Sequence, residues 1–89
     1  MAYVYLLRCA DGSLYCGWTT DPERRLRQHN AGTASHYTKR RRPVEYAMVT
    51  PAADRSAALR EEARIKKLSR AEKLALLSSE VLSAATYSS

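Results

Sequence analysis

Aromatic and aliphatic side chains dominate two short runs near the start of the chain, residues 2–9 and residues 13–19. The two runs are separated by Ala10-Asp11-Gly12. Runs of this kind around a short connection that contains glycine are typical of a β-hairpin. The pattern therefore predicts two antiparallel strands joined by a tight loop.

The length of that loop decides which side chains share a face of the hairpin. A two-residue turn would pair Tyr15 with Arg8, whereas a three-residue loop with Gly12 in the left-handed conformation would pair Tyr15 with Leu7. Side chains alternate between the two faces of a strand. Only the three-residue loop therefore places Tyr5 and Leu7 on the same face as Tyr15.

The residues after the hairpin predict a helix, a loop and a third strand. Thr20-Asp21-Pro22-Glu23 offers capping side chains, a proline for the first turn and an early carboxylate, and Gly32 ends the helix. Residues 31–43 form a polar, arginine-rich loop closed by Pro43, and residues 44–50 form the third strand.

Two more helices are predicted in the second half of the chain. Residues 54–68 carry apolar side chains at helical spacing, namely Ala58, Leu59, Ile65 and Leu68. Ser69-Arg70-Ala71-Glu72 is a capping box that opens a last helix. Its apolar positions are Leu74, Leu76, Leu77, Val81 and Leu82. We expect one domain over residues 1–82 and a frayed tail over residues 83–89.

Length and composition exclude several classes of protein. A chain of 89 residues has room for one compact domain. The apolar run of residues 1–7 is far below the roughly 20 residues that span a bilayer, and Arg8 leaves it too short for a signal-peptide core. We therefore expect a cytoplasmic protein that does not enter membranes. Cys9 and Cys16 are expected to be packed thiols, since the chain lacks a zinc-ligand pattern.

The positive charge is concentrated in one part of the chain. Lys and Arg total 15 against 9 Asp and Glu, and no acidic residue occurs from 24 to 42. A surface of one sign attracts polyanions, and the planar guanidinium of arginine matches phosphate oxygens in pairs. The pattern favours nucleic acid as the partner. The residues expected to contact it are Arg24, Arg27, Tyr37, Lys39, Arg40, Arg41 and Arg42.

Four polar side chains in the first third of the chain are candidates for catalysis. Tyr5 and Tyr15 suit a half-buried strand, but a nearby cation or metal that lowers the pKa of a phenol would make it a candidate base. Arg25 and His29 lie four residues apart on one helix face, where they are either solvated or able to grip a phosphate.

An acidic residue in the helix over 54–68 is a further candidate. On a helical wheel, Glu62 lies midway between Leu59 and Ile65, on the stripe expected to face the core, and a carboxylate there needs a partner. The wheel does not exclude Glu61. The partner is either a hard divalent cation, with phosphate oxygens and water completing its shell, or a basic side chain. The candidate basic side chains are Arg25, Arg64 and Lys66.

Several short motifs occur together at a specific spacing. They are Tyr3-Val4-Tyr5, Tyr15-Cys16-Gly17, the run 23–30, Tyr37-Thr38, Arg41-Arg42-Pro43-Val44, and Ala58-Leu59 followed by Glu62 and the run 65–70. Over residues 3–76 the chain resembles the GIY-YIG nuclease superfamily, in particular its small stand-alone bacterial branch. It departs from the usual pattern by a Tyr-Val-Tyr first motif, by Cys16, and by Arg40 where this branch often has glycine.

The resemblance implies an α+β fold in which a small three-stranded antiparallel sheet is flanked by α-helices. It also implies a catalytic set of Tyr5, Tyr15, Arg25, His29 and Glu62. Water would be deprotonated by Tyr5, with Tyr15 in support, and would attack a phosphorus held by Arg25.

The resemblance further assigns the metal ligand and one glycine. Glu62, rather than Glu61, would hold Mg²⁺ or Mn²⁺, because the family places this carboxylate four residues after the alanine of Ala58-Leu59. Gly17 would let the backbone approach closely, and Gly12 serves the hairpin loop.

The expected function is that of a metal-dependent endonuclease. With no appended DNA-binding domain, its action on DNA would be structure-directed or weakly sequence-selective. The alternative is a basic nucleic-acid-binding module with little or no turnover alone, including one that works only within a protein complex. A third reading is a basic face that docks an acidic protein or keeps the domain in solution.

Overall fold

Three antiparallel strands form one sheet in this chain, whose computed structural model describes residues 1–77. The strands are β1 (Ala2–Arg8), β2 (Leu14–Thr19) and β3 (Glu45–Ala52), in the order β2-β1-β3. Strand β1 is therefore central and β2 lies at an edge. The calls on Val81 and Leu82, on the domain end at residue 82 and on the tail over 83–89 lie outside the described residues.

The hairpin adopts the register of the three-residue loop. Leu7 pairs with Tyr15, and the amide of Cys9 donates to the carbonyl of Ser13 across the loop. Gly12 has a φ of 85° in this loop, a left-handed conformation that side chains other than glycine rarely adopt. Of the two registers that the sequence left open, the structure has the one that places Tyr5 and Tyr15 on the same face.

Residues 1–77 form four helices beside the sheet. They are α1 (Pro22–Ala31), α2 (His36–Lys39), α3 (Arg55–Lys66) and α4, which begins at residue 70 and is described to residue 77. As predicted, Asp21 caps α1, and the amide of Ser69 and the carboxylate of Glu72 form the expected capping box at α4. No helix within residues 1–77 is long and apolar enough to cross a membrane.

The segment predicted as loop over 31–43 contains helix α2, which the sequence analysis missed. Ser35 caps α2 by accepting a hydrogen bond from the amide of Tyr37 at 3.1 Å. Thr38 is fully buried and ties the helix to the domain. A one-turn helix has no apolar periodicity to reveal it, so its capping serine and one buried threonine decide its conformation.

The two faces of the sheet carry separate hydrophobic clusters. The face under α1 packs Tyr5, Leu7, Cys9 and Val44 with Tyr15, Leu26 and Tyr46, while the opposite face packs Val4, Leu6, Cys16 and Met48 against Ala58, Ile65 and Leu77. Cys9 and Cys16 are buried free thiols on different faces, as expected for packed cysteines.

Leu59 was predicted to face the core from α3, and this prediction is wrong. Its side chain is 48% exposed, whereas Ala58 and Ile65 are buried. At about 100° per residue, Ala58 and Ile65 lie about 20° apart, while Leu59 lies about 100° from Ala58. The buried stripe is therefore narrow, and Glu62, about 40° from Ala58, lies at its border rather than at its centre.

Candidate active site

A cleft of about 420 Å³ lies along the edge strand β2. Four of the five predicted catalytic residues contribute to it. The lining residues are Tyr5, Tyr15, Gly17, Trp18, Thr19, Thr20, Arg25, Arg55 and Glu62. Because β2 is an edge strand, the cleft receives side chains from α1 on one face of the sheet and from α3 on the other.

His29, the fifth predicted residue, lies behind Tyr5 and not on the cleft wall. Its side chain is 1% exposed, and both ring nitrogens have partners. Nε2 lies 2.8 Å from the hydroxyl of Tyr5, and Nδ1 lies 2.8 Å from the hydroxyl of Thr38. His29 therefore cannot contact a phosphate directly, in contrast to the grip suggested by its spacing from Arg25.

The carbonyl group of Ser35 decides the direction of these hydrogen bonds. The hydroxyl of Thr38 donates to the carbonyl oxygen of Ser35 at 3.3 Å, since a carbonyl oxygen only accepts. The same hydroxyl then accepts from Nδ1–H of His29, which leaves Nε2 without a proton. The phenol of Tyr5 consequently donates its proton to Nε2.

Burial keeps both partners of this hydrogen bond neutral. Removal from water lowers the pKa of His29 to about 4, and the nearby Arg25 guanidinium acts in the same direction. Burial also raises the pKa of Tyr5 above its usual value of 10.0, aided by Tyr15 and opposed by Arg25. At neutral pH the site therefore holds a phenol bonded to a neutral imidazole.

Gly17 makes room for the phenol of Tyr5. The two residues are cross-strand partners in the hairpin. A Cβ atom built on Gly17 would lie 2.6 Å from Cζ of Tyr5 and closer still to its hydroxyl. The close approach expected at Gly17 is thus made by a side chain of the same domain.

Arg25 reaches the cleft from a helix that is fixed at both ends. The hydroxyl of Tyr46 donates to the carbonyl of Pro22 at 2.7 Å, and Asn30 exchanges two hydrogen bonds with the backbone of Val44. Within residues 1–77, Nε of Arg25 is buried and has no hydrogen-bond partner. A buried donor without a partner is costly, and its place in a cleft indicates an anionic ligand.

Glu62 and Glu61 have different surroundings. Glu62 lines the cleft with a side chain 18% exposed, and its nearest cation is Nζ of Lys66 at 3.8 Å. Glu61 is more exposed, and its carboxylate is held by Arg64. Both partners considered for Glu62, a basic side chain and a divalent cation, therefore remain compatible with the structure. Its carboxylate makes a long ion pair with Lys66, and it also faces the cleft.

The carboxylates in the described residues suit only one kind of metal site. No group of three or more His, Cys, Asp or Glu side chains comes together within residues 1–77. Magnesium keeps several water ligands and is commonly held by one or two carboxylates together with substrate phosphate. The single carboxylate of Glu62, beside an arginine suited to phosphate, fits such a cation.

The predicted nucleic-acid-binding residues divide into two groups. Arg41 pairs with Asp11 at 3.1 Å and stacks on Tyr37, which itself stacks on Tyr15. Arg42 donates to the carbonyls of Lys39 and Asn30. The other group, whose side chains are exposed and make no described hydrogen bond or ion pair within residues 1–77, consists of Arg24, Arg27, Lys39 and Arg40.

The comparison with known families decides the identity. The family model of the GIY-YIG catalytic domain matches residues 1–75. The chain belongs to the GIY-YIG family. Membership places it in a nuclease family, and a nuclease domain implies binding to nucleic acid.

Relatives of similar length support the same placement. The UPF0213 protein of Syntrophus aciditrophicus is 50% identical over 76 residues, which cover 84% of this chain and 87% of that protein. The UPF0213 protein of Halobacterium salinarum is 47% identical over 76 residues, which cover 85% and 99% of the two chains. Stand-alone GIY-YIG proteins of this kind thus occur in archaea as well as in bacteria.

Solved structures confirm the α+β fold. The solution NMR structure of a protein from E. faecalis is 47% identical with a TM-score of 0.61, and the match covers 90% of this chain and 85% of that chain. The solution NMR structure of a UPF0213 protein from Bacillus halodurans is 40% identical with a TM-score of 0.58, over 88% and 84% of the two chains.

Several residues of this GIY-YIG site were not assigned by the sequence analysis, among them Thr38, Trp18 and Arg55. Thr38 holds the ring of His29, and Trp18 and Arg55 line the cleft. A signal was available for Trp18, which directly follows the Tyr15-Cys16-Gly17 motif, and for Arg55, which follows Asp54, the capping residue of α3. Thr38 belongs to the Tyr37-Thr38 motif, but its contact with His29 was not predicted because that contact depends on how the segment over 31–43 folds back on α1.

Proposed function

We propose that this protein is a metal-dependent endonuclease that hydrolyses phosphodiester bonds in DNA, directed by DNA structure more than by sequence. The observation that carries the proposal is the arrangement within one cleft of an arginine with an unpartnered buried Nε, a tyrosine bonded to a neutral histidine, and a carboxylate. Hydrolysis of a phosphodiester needs an anion grip, a proton acceptor and charge neutralisation, and this cleft offers all three.

The proton of the attacking water passes through Tyr5 to His29. As water oxygen bonds to phosphorus, its proton moves to the hydroxyl oxygen of Tyr5 while the phenolic proton moves to Nε2 of His29. Tyr5 thereby acts as a base without first becoming a phenolate, which its raised pKa disfavours. The bond from phosphorus to the leaving oxygen breaks, and solvent supplies that oxygen with a proton.

Arg25 and Tyr15 orient the phosphate for this attack. The guanidinium of Arg25 binds two phosphate oxygens and offsets the charge that builds on them in the transition state. The ring of Tyr15 packs edge-on against the ring of His29 at 5.5 Å between centroids. We infer that Tyr15 supports Tyr5 by holding the imidazole and by bordering the cleft.

Glu62 is the residue that would hold Mg²⁺ or Mn²⁺. Such an ion supplies Lewis-acid stabilisation of the phosphate and of the leaving oxygen. In its absence the carboxylate lies 3.8 Å from Lys66, at the outer limit of an ion pair. Lys66 is exposed, so its ammonium can turn away to solvent when a divalent cation binds.

The test is cleavage of branched, nicked and single-stranded DNA by the pure protein with Mg²⁺ or Mn²⁺. Tyr5→Phe and Glu62→Ala should each lower the rate about 100-fold or more. Glu61→Ala is the matched control, because this carboxylate lies one residue away and is held by Arg64, and it should cleave like the unchanged protein. Equal cleavage by all three variants would contradict the proposed site.

A nucleic-acid-binding module without useful turnover is the second candidate. It is favoured by the single carboxylate in the cleft and by the absence of a three-ligand metal cluster within the described residues. Binding that weakens steeply with salt, together with no product under any divalent metal, would support it. In that case Lys39 and Arg40 would matter more for the protein's role than Tyr5.

A further inference from the structure

Trp18 and Arg55 are among the cleft residues that have no part in the hydrolysis described above. Trp18 follows Gly17 on the edge strand and packs partly against the cluster under α3, while the rest of its indole borders the cleft. Arg55 is the first residue of α3. Its guanidinium carbon lies 5.7 Å from the centroid of the Trp18 ring.

The indole of Trp18 is more open to a ligand than the ring of Tyr37, which also has an arginine above it. The guanidinium of Arg41 lies 3.8 Å from the centroid of Tyr37, a stacked contact that closes that face. The corresponding separation of 5.7 Å between Arg55 and Trp18 is too long for direct stacking. The Tyr37 ring also stacks on Tyr15, so Tyr37 is a filled stack and Trp18 is not.

The cleft is larger than a phosphate and a hydrated cation require. Its volume of about 420 Å³ falls in the range of sites that bind whole small molecules. A water molecule takes about 30 Å³ of liquid volume, so a phosphate and a few waters at Arg25 and Glu62 fill only part of the cleft. The remaining space borders Trp18 and Arg55.

The two arginines of the cleft approach the edge strand from opposite faces of the sheet. Arg25 is carried by α1, which packs on the Tyr5 face, and Arg55 by α3, which packs on the other. A nucleic acid strand that crosses the edge of β2 would meet one guanidinium on each side. The phosphate held at Arg25 then has its neighbouring nucleoside beside Trp18.

We propose that Trp18 and Arg55 form a subsite for an unpaired nucleobase next to the phosphate held by Arg25. This inference rests on the proposed function and defines its substrate class. A base inside a duplex has neighbours on both faces, so an indole can stack only on a base that is single-stranded or turned out of the helix. The preferred substrates are therefore single strands and branched or gapped DNA with an unpaired base at the cut.

Intrinsic fluorescence tests this subsite directly, because Trp18 is the one tryptophan of the chain. The protein is titrated in EDTA, which prevents cleavage, with a single-stranded oligonucleotide and with a blunt duplex of the same length. Saturable quenching of the emission by the single strand, with little change for the duplex, is the expected result. Equal quenching by both, or binding of the single strand without quenching, would overturn the proposal.

Variants then separate stacking from simple attraction of charge. Trp18→Leu should weaken binding of the single strand by about 5- to 150-fold, as removal of one base-stacking ring does, and should leave binding of the duplex nearly unchanged. Since the indole also packs on the core, Trp18→Phe provides a folded variant that keeps a ring and most of the affinity. Equal losses for both DNA forms with Trp18→Phe would contradict a base subsite.

Arg55→Gln should also weaken binding of the single strand, while Arg60→Gln, exposed on the same helix, serves as the control and should not. Glu62→Ala keeps failure of this subsite distinct from failure of the proposed function. It should abolish cleavage and leave the fluorescence change intact. DNA cleavage without quenching or preference for unpaired bases would refute the subsite alone, whereas quenching without cleavage in Mg²⁺ or Mn²⁺ would refute only the nuclease activity.

Discussion

The phenol of Tyr5 lies over Gly17, its partner on the neighbouring strand, with no room for a side chain between them. This relationship fixes where the hydroxyl of Tyr5 is, since the ring is held against β2 on one side and the hydroxyl is bonded to His29 at 2.8 Å. Gly17 thus positions the phenol of Tyr5.

Gly17→Ala should therefore displace the phenol and break its hydrogen bond to His29. We expect cleavage to fall about as far as with Tyr5→Phe, and the free energy of unfolding to fall by about 1–3 kcal/mol from overpacking. Gly12→Ala is the matched control. It has open space but a φ of 85°, so it should cost about 1–2 kcal/mol of stability and leave the rate of the folded protein unchanged. Rate assays beside chemical denaturation distinguish the two.

Thr38→Val should remove the acceptor that fixes the tautomer of His29. The buried Nδ1–H then loses its partner, at a cost of about 1–3 kcal/mol, or the proton moves to Nε2 and Tyr5 can no longer donate there. Thr38→Ser should restore both the tautomer and the activity. Nitrogen-15 chemical shifts of His29 report the tautomer without reference to catalysis, and an unchanged tautomer in Thr38→Val would contradict the assigned hydrogen-bond direction.

Stability should depend on pH through His29. Its pKa is lowered from 6.5 to about 4 on folding, so the unfolded chain binds more protons in this window. The contribution of His29 is fully present above pH 6.5 and is lost as pH falls toward 4, by about 3 kcal/mol in all at 1.36 kcal/mol per unit. His29→Gln should flatten the curve of unfolding free energy between these values. A curve of unchanged slope would mean that another group titrates there.

Arg25 should contribute to activity at no benefit to stability. Its Nε is buried without a partner in the described residues, so Arg25→Met removes an unsatisfied donor. We expect the free energy of unfolding to stay the same or to rise by up to about 1 kcal/mol, while cleavage falls by about 100- to 1,000-fold. A clear loss of stability in thermal unfolding would show that the guanidinium serves the fold instead.

The basic residues 39–42 should divide into residues that bind DNA and residues that stabilise the fold. Lys39→Ala and Arg40→Ala should each lower the slope of log affinity against log salt by about 1 if they contact phosphate. Arg42→Ala should instead lower stability, because its guanidinium donates to the carbonyls of Lys39 and Asn30. Salt titrations of DNA binding, combined with melting curves, separate these effects.

The sequence predicted most of the architecture because local signals decide it. The cap at Asp21 indicated the start of α1, while the hairpin register stayed open between two loop lengths until the left-handed Gly12 was seen. The position of Leu59 was wrong because helical spacing alone does not reveal how narrow the covered stripe is. Helix α2 was missed because one turn has no periodicity.

The sequence indicated most of the residues of the candidate site but not how they are arranged. The spacing of Arg25 and His29 indicated a shared face, but only packing shows that His29 stands behind Tyr5 and not beside the phosphate. The helical wheel left Glu61 and Glu62 open, and family resemblance favoured Glu62, which the structure places in the cleft. Long-range contacts such as that from Thr38 to His29 leave no trace in local sequence.

The residues of the cleft come from both faces of the sheet. The residues proposed to move protons and bind phosphate lie on the face of the sheet under α1, and the carboxylate proposed to hold the cation lies on α3, which packs on a separate apolar cluster. Each face is packed by its own side chains. Substitutions on α3 near Glu62 and Arg55 should therefore alter the proposed cation and DNA preferences while leaving the contact between Tyr5 and His29 unchanged.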